Sequence, residues 1–266
     1  MKRIPTLRAV FILGGLFLSL AGPAGAAERP LVIEEFTGTW CVFCFGVGMA
    51  LDRIHEAYPR DEILVAEYHY ADPYSIVFGE SRVDFYEVPG FPTVVIDGIA
   101  KFTGGSPLRD GEAGIALLYE KILSLIEEEQ ARLADTVSLR LYLEGTTGPD
   151  DPRLRLTIQN TAGYPHDIQV VFLITEDEVE VPPVQALNGK LVYNSLVRAH
   201  LGTETVNLAA PGSLEVQAAY PGAIPHQSPE NLHPVVFLQD AKTKEILGAV
   251  GVFNRPVPVP DWSLHP

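Results

Sequence analysis

Cysteine occurs only twice in this chain of 266 residues, at Cys41 and Cys44, so no multi-bridge disulfide framework can hold it and its stability must come from ordinary cores. Basic side chains are scarce as well. Lys and Arg number 19 against 34 Asp and Glu, a formal charge of -15, and no basic cluster is present to neutralise phosphates. Nucleic acid and anionic membrane surfaces are therefore not expected as partners. There is no Gly-rich phosphate loop, since Gly104-Gly105 reads only as a turn, and no internal repeat. After the first 27 residues no apolar run is long enough to span a bilayer.

The N-terminus has what the rest lacks. Lys2, Arg3 and Arg8 precede the apolar stretch Ala9 to Leu20, and Ala24-Gly25-Ala26 supplies a small-x-small cleavage signal. Residues 1–27 thus read as a secretory signal peptide cut near Ala26 or Ala27. No cysteine stands nearby to be acylated, so the expectation is an exported protein of the periplasm or cell envelope, soluble after cleavage.

Residues 28–134 alternate strand and helix patterns. Leu31 to Phe36 is apolar and strand-like, a helix runs from about Cys41 to Tyr58 where Pro59 stops it, and Ile63 to Tyr70 is a second strand. Asp72-Pro73 marks a turn and Ser81 to Tyr86 a short helix. Val94 to Ile96 is a third strand, ended by the hairpin signal Asp97-Gly98 ahead of an edge strand at Ile99 to Phe102. Asp110 to Leu133 is amphipathic, with Ile115, Leu118, Ile122, Leu125 and Ile126 on one face. From residue 135 to 254 the helical period gives way to seven strand-like runs separated by turn clusters, which predicts an all-β sandwich of immunoglobulin-like type. These runs are Val137–Leu143, Leu154–Gln159, Ile168–Thr175, Leu191–Arg198, Leu214–Tyr220, Val235–Gln239 and Ile246–Phe253. Residues 255–266, with Pro256, Pro258 and Pro260, read as an extended tail.

The two cysteines are spaced C-x-x-C directly after the first strand, in Trp40-Cys41-Val42-Phe43-Cys44. A cysteine at a helix start faces unpaired N–H groups and the positive end of the helix dipole, which favour thiolate and make Cys41 the attacking group. Cys44, one turn on, can displace a mixed disulfide and leave the pair oxidised. A C-x-x-C loop is too short for its bond to gain much chain entropy, which favours a redox role over a structural one.

With Gly90-Phe91-Pro92-Thr93 placed on the same framework, the first 28–134 segment resembles the thioredoxin-like superfamily. The resemblance implies that Trp40 precedes the nucleophile, that Pro92 is the cis-proline beside the disulfide, and that Phe91 offers backbone hydrogen bonds to an incoming peptide. It also places Glu35, six residues before Cys41, as a buried acid handling the proton of Cys44. Residue chemistry agrees, because a carboxylate buried in an apolar strand has a raised pKa and can act as a base near neutrality. Val42-Phe43 departs from the family's usual dipeptides and leaves the direction of electron flow open. The whole chain resembles the outer membrane protein twenty-eight related family of bacterial envelopes, through Glu34-Glu35-Phe36-Thr37-Gly38-Thr39-Trp40-Cys41 with Cys44 and, more weakly, Tyr193 to Arg198. That family implies a thioredoxin-like domain followed by an immunoglobulin-like one.

The expected function is thiol-disulfide exchange with protein thiols and disulfides and a redox partner, with no resident cofactor. Half a zinc site is the competing reading of C-x-x-C, but no second cysteine pair exists. A copper(I) chaperone site formed by Cys41, Cys44 and His69 is another alternative, since thiolates with one imidazole suit that ion. His55 and His69 otherwise read as structural. A non-catalytic envelope binding protein is a third alternative. Glu176-Asp177-Glu178 with Glu180 lacks the ligand spacing of a calcium loop and reads as a charged sheet edge.

Overall fold

The computed structural model describes residues 29–133, 139–146, 153–164, 166–220 and 224–253; the expected signal segment and tail lie outside them. Its first half runs β1 (Leu31–Thr37), α1 (Cys44–Ala57), β2 (Ile63–His69), α2 (Val77–Phe85), β3 (Thr93–Ile96), β4 (Ala100–Thr103) and α3 (Gly111–Leu133). The described residues of the second form strands with one 3-10 turn, Pro229–Asn231: β5 (Leu139–Thr146), β6 (Arg153–Asn160), β7 (Asp167–Glu176), β8 (Val179–Glu180), β9 (Val192–Tyr193), β10 (Leu196–Asn207), β11 (Gly212–Ala219), β12 (Leu232–Asp240) and β13 (Ile246–Gly251).

These strands form one large mixed sheet, in the order β13-β12-β7-β10-β2-β1-β3-β4, and two smaller antiparallel ones, β11-β6-β5 and β8-β9. The large sheet crosses between the halves where β10 meets β2 at Leu196 and Glu67. The architecture is thus mixed α/β, compatible with the α/β-then-β order read from the sequence.

Every residue of β1 and β2 is buried, because the sheet is covered on both faces. On one face Leu31, Ile33, Ile63 and Val65 pack against Val47, Leu51 and Ile54 of α1 and Leu118, Ile122 and Ile126 of α3. On the other, Val32, Phe36, Leu64 and Tyr68 continue into Val171, Leu173, Val235, Phe237 and Ile246, so the two halves share a core. A third core lies between the C-terminal part of the large sheet and β11-β6-β5, around Leu156, Ile158, Phe172, Val216 and Val236.

The Asp97-Gly98 hairpin is present with both residues at positive φ, 48° and 75°. A Cβ on Gly98 would stand 1.8 Å from the carbonyl oxygen of Lys244, so glycine is required there. Three expectations shift. Helix α1 begins at Cys44, because two successive tight turns, Cys41 N–H to Gly38 O and Cys44 N–H to Cys41 O, precede it. Helix α2 spans Val77–Phe85 instead of starting at Ser81. The run Leu191–Arg198 divides into β9 and the longer β10. Bulges between Val197 and Ala199 and between His200 and Gly202 break the alternation that would have revealed the rest of β10.

Candidate active site at the start of the first helix

Cys41 and Cys44 are joined as a disulfide that straddles the start of α1, Cys41 in the preceding turn and Cys44 as its first residue. Both cysteines are buried, while Trp40, Val42 and Phe43 around them are exposed and uncharged. The loop between β1 and the disulfide is held from two sides. Thr39 N–H donates to Asp72 Oδ2 at 2.8 Å from the turn after β2. From the C-terminal half, Asn188 donates its backbone N–H to Thr39 O at 3.0 Å and its side-chain Nδ2 to Gly38 O at 3.2 Å.

Phe91 and Pro92 lie beside this loop, and the peptide between them is cis. The Trp40 ring meets Phe91 edge-on at 5.5 Å, Phe91 stacks on Tyr70 at 5.0 Å, and Trp40 Nε1 donates to Tyr70 O at 2.7 Å. Gly105 closes the contact: a Cβ there would lie 2.1 Å from Phe43 O and 2.7 Å from Pro92 Cγ. Gly46 N–H, unpaired within its own helix, donates to Ser106 O at 2.8 Å.

Glu35 is fully buried on the face of β1 that α1 covers, and neither carboxylate oxygen has a hydrogen-bond partner among the described residues. Burial pushes its pKa up to about 8, the nearby Lys190 charge pulling the other way. Sequence reasoning missed the group beside it. Glu67 stands opposite Glu35 in the parallel register of β1 and β2, is equally buried, and leaves Oε2 without a partner. Burial raises its pKa well above the carboxylate range, with Lys190 opposing and Glu35 adding to the rise. Lys190 reaches this site from the C-terminal half and pairs with Asp52 of α1 at 2.5 Å. The sequence signal was present in Glu67, an acid inside the apolar strand Ile63–His69.

His69 is held by the turn that also holds Thr39: Nδ1 lies 2.7 Å from Asp72 Oδ2 and its ring packs edge-on against Tyr193 at 4.7 Å. Among the described residues no group of three or more His, Cys, Asp or Glu side chains is arranged to hold a metal ion. The Glu176–Glu178 run is not a bare charged edge. Glu176 is fully buried, pairing with Arg198 and accepting from the Gln227 and Ser228 N–H groups, while Asp177 pairs with Arg60.

No protein-family model and no curated protein matches this chain. Solved structures do resemble it. HBP35 of Porphyromonas gingivalis superposes with a TM-score of 0.64 at 19% identity, over 86% of this chain and 76% of that one. A structural-genomics target from Agrobacterium tumefaciens superposes with a TM-score of 0.55 at 17% identity, over 88% of this chain and 99% of that one. At these identities the likeness is one of fold. No helix among the described residues is long and apolar enough to cross a membrane.

Proposed function

We propose that this protein is an exported thiol-disulfide oxidoreductase of the periplasm or cell envelope. In this reading residues 28–134 form a thioredoxin-like domain and 135–254 an immunoglobulin-like sandwich. The observation that carries it is the Cys41–Cys44 disulfide at the start of α1, set against the Phe91–Pro92 loop. On β1, six residues before Cys41, Glu35 is a buried carboxyl group whose pKa of about 8 suits proton exchange near neutrality.

Cys41 exchanges with the substrate sulfur, Cys44 resolves the mixed disulfide, and Glu35 moves the proton of Cys44. Trp40, Phe91 and Pro92 shape the groove in which a polypeptide lies against the disulfide. The partners are protein thiols or disulfides and a redox protein that resets the pair.

Dithiol exchange with a cysteine-containing peptide tests this. Cys41→Ser is expected to abolish exchange and Cys44→Ser to accumulate mixed disulfides visible on a non-reducing gel. Full exchange activity in Cys41→Ser would overturn the assignment.

A further inference from the structure

Lys190 belongs to the C-terminal half, yet its side chain ends inside the N-terminal half and is 2% exposed. Its Nζ donates to Gly48 O at 3.0 Å and pairs with Asp52 at 2.5 Å. Glycine at 48 permits this approach, since a Cβ there would stand 2.9 Å from Lys190 Cδ. Cys44, Gly48 and Asp52 follow at i, i+4 and i+8 along α1. The ammonium therefore lies on the helical stripe that starts at the second cysteine.

Glu35 and Glu67, side by side in the register of β1 and β2, act electrostatically on the same ammonium that Asp52 binds, so three carboxyl groups bear on one cation. Glu35 and Glu67, both fully buried, cannot both stay ionised beside one ammonium that is already paired with the partly exposed Asp52, so the pair must hold a proton. The other ionisable groups facing it are Tyr193 from the C-terminal half and His69 with Asp72 beyond β2, with Asp177 acting on Glu67 and His55 lying near Asp52 and Lys190.

We propose that Lys190 is a positioning residue for the Cys41–Cys44 couple, the counter-charge that lets the Glu35–Glu67 pair release and recover a proton as the disulfide opens and closes. This rests on the thiol-disulfide reading above. A substrate thiolate attacks Cys41 Sγ, the bond to Cys44 breaks, and its electron pair goes to Cys44, which takes a proton from the carboxyl pair. A second substrate thiolate then attacks the substrate sulfur held on Cys41, releasing the substrate disulfide and a Cys41 thiolate. The two protons shed by the substrate thiols restore the carboxyl pair and protonate Cys41, so two electrons and two protons pass to the protein. Between these steps the carboxylate left behind faces Lys190. Because Asn188 ties the Lys190 segment to Gly38 and Thr39, the redox chemistry of one half depends on the seating of the other.

The test is the reduction potential of the pair in the purified protein, measured against a thiol buffer from pH 5 to 10, a readout that needs no protein substrate. The pH at which the slope changes is expected to rise by about one unit in Lys190→Met and to return toward the wild-type position in Lys190→Arg. It is expected to fall in Asp52→Asn, which frees the ammonium from its partner and removes a negative charge. A break that stays put in both Lys190→Met and Asp52→Asn overturns the proposal; if Lys190→Met does not fold, the direction of the Asp52→Asn shift decides alone. Shifts of the expected sign without exchange on any cysteine-containing peptide would sink the oxidoreductase reading and leave this one standing. Exchange with an unmoved break would do the reverse.

Discussion

Glu34 and Glu35 are neighbours on β1, both fully buried, and they point to opposite faces of one sheet into opposite circumstances. Glu34 accepts from Arg82 Nε at 2.9 Å and from its terminal nitrogen at 2.6 Å, and from the Tyr86 hydroxyl at 2.5 Å. Arg82 also donates to Gln239 Oε1 at 2.7 Å, and Gln239 Nε2 donates back to Tyr86 at 2.8 Å. The guanidinium lies over the Phe85 and Tyr86 rings at 4.7 Å. This closed network fastens β1 and α2 to β12 of the other half. Glu35 has no such network: the Lys190 charge, the Thr37 side chain and a second carboxyl group act on it, and its oxygens are left without the close partners that Glu34 has. A buried acid with its bonds satisfied holds structure, whereas one left with unpaired oxygens keeps its proton available for chemistry.

The largest expected effect breaks the first member of that comparison. Arg82→Ala strands a buried carboxylate and is expected to cost about 3–5 kcal/mol, read from a urea midpoint, with exchange per folded molecule unchanged. Glu35→Gln, on the other face, is expected to do the opposite: exchange slows by about a hundredfold while the fold is not weakened. A Glu35→Gln protein as fast as wild type at every pH would remove Glu35 from the mechanism.

Acidity sharpens the contrast. Glu35 titrates at about 8 in the folded protein against 4.5 when exposed, so between these values the folded state binds the extra proton. Its contribution to stability is present in full below 4.5 and is lost as pH rises through 8. Asp97, raised by burial to about 7 from 3.8, acts in the same direction. His55, lowered by burial and Arg60 to about 4 from 6.5, opposes them only between those two values. Above pH 6.5 the carboxyl groups act without it, so the denaturant midpoint is expected to fall between pH 6.5 and 8. Glu35→Gln is expected to flatten that fall; a slope identical to wild type would show that Glu35 ionises normally.

The cysteine pair and the α/β-then-β order have local signatures, a C-x-x-C spacing and a change of period, whereas Pro92 and Glu35 come from the family resemblance, with residue chemistry agreeing only for Glu35, an acid inside an apolar run. The sequence could not show Lys190. That residue sits in Asn188-Gly189-Lys190, which reads as an ordinary surface turn, and its burial depends on a sheet that crosses between halves at one residue pair. Glu67 was visible as an acid within a strand, but its place opposite Glu35 is set by parallel register, which sequence periodicity does not encode. The satisfied state of Glu34 was hidden for the same reason, since Arg82 and Gln239 are 48 and 157 residues apart from their partners Glu34 and Arg82.

The smallest effect tests the joint on which the comparison's second member depends. Asn188→Ala removes the side-chain bonds to Gly38 O and Tyr193 and the acceptor for Lys190 N–H, but keeps the backbone bond to Thr39 and the Lys190–Asp52 pair. The expected cost is about 1–2 kcal/mol. Hydrogen exchange separates local loosening from global loss. The Lys190 amide is expected to exchange faster while the Val32 and Asp97 amides, paired across β1 and the hairpin, keep their protection. Loss of protection at all three would mean that Asn188 supports the whole fold, and the two halves would then be coupled through stability and not through the Lys190 charge.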